Sequence, residues 1–341
     1  MKSADRERAE QGGELALLGR IRARVGTGSR SGVRLGIGDD CALLGVRAGE
    51  ELAVTTDLSI AGRHFRLDWH PPEAIGHRTL ARGLSDLAAM GARPVAAFLS
   101  LGLPRELTVT HGRGRAWVER FYDGLLGLAE KFETPLAGGD LAESPVAVAD
   151  IVLVGAVTRG QALLRSGARA GDGIYVTGRL GGAAAGLEKL SELAGGARTV
   201  KFKIPKRLAG DLAEHLYPQP RVAQGLWLRR KGLATAAMDI SDGLSTDLAH
   251  LCAESKVGAE IDAKALPIGY GATLEQALHG GEDYELLFTA TEAVKMPGTI
   301  AGVAVTKIGR VMTLRRGRAP VSLVTPDGAR TMTPHGWEHF A

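Results

Sequence analysis

The feature that most restricts what this chain can fold into is a local design repeated along it. An apolar, strand-like segment runs into small residues and then into carboxylates. It occurs at Gly36-Ile-Gly-Asp39-Asp40, Thr55-Thr56-Asp57, Gly138-Gly139-Asp140 and Asp239-Ile-Ser241-Asp242-Gly243, with a looser form at Gly280-Gly281-Glu282-Asp283 after a helical stretch. Strand ends hold side chains at fixed places on a sheet rim, and glycine lets a bulky anion approach the main chain. Each copy alone has an ordinary explanation, since Asp after Gly is common in turns, where its side chain bonds its own backbone. So many in one chain are hard to attribute to turns. Carboxylates with hydroxyls are hard oxygen donors, suited to Mg²⁺ rather than zinc or copper. Mg²⁺ takes only one or two protein carboxylates beside substrate phosphates, so scattered aspartates point to several ions on a polyphosphate.

Composition agrees with a ligand-binding reading. Glycine accounts for 47 of 341 residues, about twice the ordinary share, and its lack of a fixed period excludes a collagen-like chain. The net charge of +4 comes from basic residues spread along the chain, with short runs such as Arg229-Arg230-Lys231, so nucleic acid is not an expected partner. A small positive excess suits polyanionic ligands. Cys41 and Cys252 are the two cysteines, too few for a disulfide framework and consistent with a reducing compartment. No apolar run approaches the roughly 18–20 residues needed to span a bilayer. Residues 1–13 are polar and read as a flexible tail without the apolar core of a signal peptide. The expectation is a cytoplasmic protein with no membrane partner.

The periodicity predicts helices at 15–25, 72–90, 117–132, 222–230 and 244–253. Pro71-Pro72-Glu73 opens the second, and Gly91 with Pro94 stops it. Trp117, Phe121, Leu125, Leu128 and Phe132 form a core-facing stripe on the third. Strands are expected at 34–37, 52–55, 95–101, 151–157, 174–177, 234–238, 259–261 and 285–289, followed by a further helix and strand. Lys201–Arg207, flanked by Gly195-Gly196, reads as a candidate lid. The expected organisation is mixed α/β in two consecutive domains, 14–160 and 161–341.

Asp86 is an independent clue. It lies between Leu84 and Leu87 near the C-terminal end of its helix, where the dipole disfavours an anion and apolar neighbours add desolvation cost. A cation must compensate: Arg78 or Arg82, at helical spacing, or a metal. Familiar nucleotide signatures are missing. Gly26-Thr-Gly28-Ser-Arg-Ser-Gly32 has the wrong spacing for a dinucleotide fingerprint, and no Gly-Lys dipeptide exists to form a P-loop. Protein-kinase motifs are absent as well.

Read in order, Gly36-Ile-Gly-Asp-Asp40-Cys-Ala-Leu-Leu, Thr56-Asp57 with His64-Phe65, and Leu84-Ser-Asp86-Leu-Ala-Ala-Met-Gly91 resemble the thiamine-monophosphate kinases. So do Gly138-Gly-Asp140, Leu164-Arg165-Ser-Gly-Ala, Asp239-Ile-Ser-Asp242-Gly-Leu, Gly280-Gly-Glu-Asp-Tyr-Glu-Leu286 and Gly336-Trp-Glu-His-Phe340. The resemblance covers nearly the whole chain after the tail. It implies an α/β (α+β), two-domain fold shared with aminoimidazole ribonucleotide synthetase, with mixed sheets packed with helices and a homodimer formed through the N-terminal domains. It also implies direct in-line transfer of the γ-phosphoryl of ATP, the co-substrate, to thiamine monophosphate with the help of several Mg²⁺ ions.

By matching positions, the resemblance assigns Asp40, Thr55, Thr56, Asp57, Asp86, Asp140 and Asp239 to the metal cluster and Asp242 to a further ion. Nucleotide contacts fall to Tyr122, Gly139, Asp140, Arg165 and Ser241, and thiamine monophosphate contacts to His64, Glu282 and Trp337. Asp57, Asp86, Asp140 and Arg165 are the expected catalytic set. An acceptor that is already an ionised phosphate oxygen needs no strong base, which suits a site rich in aspartate. Leu141 stands where the family often has threonine or serine, and 58–63 is atypical. Sister enzymes of the superfamily, or a non-catalytic nucleotide or thiamine-phosphate binder, are the competing readings.

Overall fold

The structure is a computed structural model that describes residues 14–25, 32–110, 115–195, 210–314 and 320–336. The expected tail at 1–13, the candidate lid at 201–207 and Trp337 lie outside the described residues. Those described divide into two compact units: residues up to Gly83 with Pro94–Ala156, and Leu84–Arg93 with residues from Val157 onward.

The first unit contains α1 (Glu14–Val25), β1 (Val33–Leu35), β2 (Leu43–Leu44), β3 (Glu50–Ile60), most of α2 (Pro72–Ala89), β4 (Arg93–Leu103, from Pro94), α3 (Trp117–Lys131), β5 (Leu136–Glu143) and β6 (Val148–Thr158, to Ala156). Four strands form a sheet in the order β3-β6-β4-β5, with β4 and β5 parallel. Ile75 and Leu80 of α2 and Phe121 and Leu125 of α3 are almost fully buried. The helices approach closely at glycines: a Cβ on Gly76 would lie 1.9 Å from the Phe121 carbonyl oxygen, and one on Gly124 1.8 Å from that of Glu73. Helix α2 ends as its sequence foretells, in a Schellman turn. Gly91 adopts φ +61°, Ala92 N–H donates to the Leu87 carbonyl and Gly91 N–H to that of Ala88.

Two strands differ from the sequence expectation in length, and the difference moves the carboxylates. β3 extends through Thr55-Thr56-Asp57 and β5 through Gly138-Gly139-Asp140, so these motifs lie within strands and not past strand ends. Gly and Asp are poor strand formers, but pairing with β6 and β4 overrides that local preference. Alternation along β3 then puts Thr55 and Asp57 on one face and Leu52, Val54, Thr56 and Leu58, all exposed, on the other.

The second unit contains β7 (Gly173–Thr177), α4 (Gly182–Gly195), α5 (Ala213–Leu216), α6 (Val222–Lys231), β8 (Ala236–Ile240), α7 (Leu244–Ser255), β9 (Gly258–Asp262), α8 (Leu274–His279), β10 (Glu285–Ala290), β11 (Thr299–Ile300), β12 (Val303–Met312), β13 (Val321–Thr325) and β14 (Gly328–Thr331). Its mixed sheet runs β14-β13-β9-β12-β7-β10-β8, with β11 added to β12; β13 is parallel to β9, and β10 is antiparallel to both β7 and β8. Ile174, Val176, Met238, Ile240, Leu248, Leu287 and Ile308 belong to its core. The helix expected after β10 does not form. Residues 291–298 are a short turn segment ending in Pro297-Gly298, and a β11–β12 hairpin follows, with Ala301 and Gly302 at positive φ in its two-residue turn. Among the described residues, no helix is long and apolar enough to cross a membrane.

Candidate active site

In the first unit a cavity of about 350 Å³ opens between the Gly36–Ala42 loop, Tyr122 and Gly138–Leu141. The sequence-predicted Asp40, Tyr122, Gly139 and Asp140 all line it. Glycine is needed at its wall. Gly139 sits at φ +148°, opposite Leu99 in the parallel pair, and a Cβ there would lie 2.0 Å from the Leu99 carbonyl oxygen. Two of the carboxylates bond the next main-chain N–H: Asp39 Oδ1 accepts Asp40 N–H at 2.9 Å and Asp140 Oδ1 accepts Leu141 N–H at 2.9 Å. Tyr122 is buried on α3, and burial holds its phenol protonated far above the ordinary range.

Asp57 has a cationic neighbour. Arg82, one of the two arginines that helical spacing offers to Asp86, directs Nε and Nη2 to Asp57 Oδ1 at 3.2 and 3.1 Å. Arg78 Nη2 lies 3.4 Å from the main-chain oxygen of His64. The His64 ring is fixed by the turn after β3, where Ile60 N–H donates to Nδ1 at 3.1 Å, which leaves the ring proton of the neutral form on Nε2.

In the second unit, β8 carries Asp239 into the buried interior, where its Oδ2 accepts the Ser85 hydroxyl at 2.7 Å; Asp86 follows in the same helix, half-buried. The strand then breaks into Ser241-Asp242-Gly243. A residue that sequence reasoning missed holds this loop: Asp247 Oδ2 accepts the N–H groups of Ser241, Asp242 and Gly243 at 3.1, 3.1 and 3.0 Å. The neighbouring segment is tied to the same loop, with Glu282 N–H on the Ser241 carbonyl and Tyr284 N–H on that of Ile240. Glu282 and Tyr284 adopt φ +67° and +51°, left-handed values that side chains rarely take, and such strain gathers at functional positions. Buried His215 lies with Nδ1 3.8 Å from Glu282 Oε2. Gly336 packs on the Asp242 carbonyl, and its N–H donates to Thr246 Oγ1. Arg165 is not drawn into this group. Its guanidinium is exposed, and Leu164 beside it bonds Ala237 near the other end of β8.

Asp283 closes the helix N-terminus of α4, accepting Gly181 N–H at 2.6 Å and Ala183 N–H at 3.2 Å. Burial pushes its carboxyl up to about 7, with the charges of Glu285 and Glu214 adding to the shift against the two N–H donors. A carboxyl raised in the folded state contributes stability that is complete below its unfolded value, about 4, and is lost as pH rises through the folded value. Wild-type protein is therefore expected to lose stability between about pH 4 and 7 more steeply than Asp283→Asn, measured as melting temperature across that range.

Among the described residues no group of three or more His, Cys, Asp or Glu is already assembled for a metal. Mg²⁺ does not require one, because phosphate oxygens and water complete its shell. The donors present are hard oxygens, and their charge is concentrated. After burial, the charges of Asp239 and Asp242 are what drive Asp247 up to about 8. A divalent cation would relieve that repulsion, so the residues fit Mg²⁺.

Residues 38–160 match the AIR synthase related protein N-terminal domain family, and residues 169–299 the corresponding C-terminal domain family. The chain is similar to the thiamine-monophosphate kinase of Escherichia coli strain K12, 39% identical over 96% of this chain and 98% of that protein. Its fold is similar to the crystal structure of thiamine-monophosphate kinase from Stenotrophomonas maltophilia K279a (38% identity, TM-score 0.76, 91% of this chain and 96% of that one). It is also similar to AaThiL complexed with AMPPCP and TMP (32% identity, TM-score 0.73, 96% and 97%).

Proposed function

The chain belongs to the thiamine-monophosphate kinase family, and we propose that it transfers the γ-phosphoryl group of ATP directly to the phosphate of thiamine monophosphate, giving ADP and thiamine diphosphate. The observation that carries this reading is the glycine-walled cavity bearing Asp40, Tyr122, Gly139 and Asp140, in a chain alike over nearly its full length to AaThiL complexed with AMPPCP and TMP. Bound Mg²⁺ supplies charge neutralisation between the two phosphorylated substrates. Asp40, Thr55, Asp57, Asp86, Asp140 and Asp239 are the residues to hold it, with Asp242 on a further ion. The Thr56 side chain faces away from Thr55 and Asp57 on β3, so that residue would contribute through its main chain.

In this reading Tyr122, Gly139, Ser241 and the Arg165 fork bind the nucleotide, while His64 and Glu282 orient thiamine monophosphate, together with Trp337. In the same reading the chain divides functionally near residue 160, which the two separate family matches, 38–160 and 169–299, support. Free Cys41 and Cys252 suit a cytoplasmic setting. Calorimetry tests the substrate assignment: thiamine monophosphate is expected to bind in the presence of Mg²⁺ and a non-hydrolysable ATP analogue. Binding of the nucleotide without any heat from thiamine monophosphate would sink that assignment and leave a sister reaction of the superfamily.

A homodimer through the first unit belongs to the same reading. β3 is an edge strand whose outer face exposes Leu52, Val54 and Leu58 at 52%, 61% and 47%, an apolar row that a second copy would cover. Val54→Asp is expected to shift the protein to monomer in sedimentation analysis. A dimer of unchanged strength would rule this face out.

A further inference from the structure

Asp57 comes from rigid strand β3 and Arg82 from α2, where Leu80, Ala81 and Leu84 beside it are fully buried. The guanidinium is thereby anchored where it meets the carboxylate, with two N–H groups on Oδ1. The side chains are 18% and 20% exposed, so bulk salt screens the pair less than it would a pair on the open surface. Half-buried ion pairs add little net stability, because desolvation offsets much of the attraction. The stability that such a pair adds is thus no measure of what the Arg82 side chain does at this position. Its charge and its fork act on Asp57 itself, occupying lone pairs that a divalent ion needs.

We propose that Arg82 is a resident cation of the Asp57 subsite, competing with Mg²⁺ for that carboxylate in the nucleotide-free protein. The inference rests on the assignment of Asp57 to the metal centre. Its consequence is that the subsite stays poorly metallated until nucleotide and Mg²⁺ arrive together, when the ion's higher charge displaces the guanidinium.

The test is Mn²⁺ binding to nucleotide-free protein, followed by electron paramagnetic resonance of the free ion, so that turnover plays no part in the readout. Arg82→Met is expected to bind Mn²⁺ about three- to tenfold more tightly than wild type. Arg82→Lys, which keeps the charge but loses the fork, is expected to fall between the two. The double variant Arg82→Met/Asp57→Asn is expected to lose the gain, which separates competition at Asp57 from a general change in local charge. Wild-type affinity in Arg82→Met, with weakened binding in Asp57→Asn, overturns the competition alone. Wild-type affinity in Arg82→Met and Asp57→Asn alike, or a gain in Arg82→Met that persists in the double variant, overturns the metal assignment of Asp57 and the competition with it.

Discussion

Asp57→Asn is expected to lower turnover by at least about a hundredfold while the protein remains folded. Asparagine keeps the size of the side chain but replaces an anionic oxygen donor by a neutral amide, a poor ligand for Mg²⁺. The ion pair with Arg82 is lost too, and with both partners only about one-fifth exposed some stability goes with it, a cost that a melt reads separately from the loss of turnover. That loss concerns the arrangement of phosphates and should fall mainly on kcat. A steady-state assay with a parallel thermal melt reads both quantities. Asp86→Asn is expected to behave alike, for the same chemical reason. Near-wild-type turnover by either variant would remove that residue from the metal centre.

Asp247→Ala is expected to be the most damaging substitution in the second unit. Three main-chain N–H groups, those of Ser241, Asp242 and Gly243, converge on one oxygen of this carboxylate. Truncation leaves them without that acceptor in a part-buried loop, at a net cost of about 3 kcal/mol. The loop that presents Ser241 and Asp242 then loses its shape, so nucleotide affinity should fall along with stability. Asp247→Asn separates the two possible roles. All three bonds reach Oδ2, so one amide oxygen can accept them, and the repulsion from Asp239 and Asp242 disappears. Urea denaturation is expected to place the asparagine variant within about 1 kcal/mol of wild type. A loss in Asp247→Asn equal to that in Asp247→Ala would mean that the negative charge, and not its acceptor geometry, is what the loop requires.

Much of the fold was legible because its signals are local. Pro72 and Gly91 bracket α2, the aromatic stripe from Trp117 marks α3, and the strands expected at 174–177, 234–238 and 285–289 overlap the fully buried β7, β8 and β10. Legibility failed where pairing overrode local preference. Gly138-Gly139-Asp140 reads as the end of a strand, yet β5 continues through it because β4 lies alongside. After β10 a helix was expected, but only the turn segment 291–298 separates that strand from the hairpin, and Pro297 and Gly298 cut it short.

The site divides in the same way. Strand-borne carboxylates followed by small residues stand out in the sequence. Their supports do not, since each is a single polar residue whose partner is distant. Ser85 meets Asp239 across 154 positions, and Asp283 reaches Gly181 across 102. Arg82 was visible as a neighbour of Asp86 at helical spacing, but its reach to Asp57, 25 positions away, depends on how β3 lies against α2. Asp247 was missed because an aspartate in the first turn of a helix looks like ordinary complementation of the dipole.

The central claim is tested most directly by incubating the purified protein with ATP, Mg²⁺ and thiamine monophosphate and separating the products by chromatography. The expected result is thiamine diphosphate and ADP in equal amounts, abolished by EDTA. ADP formation without thiamine diphosphate, or no turnover in a folded protein that binds both ligands, would contradict it.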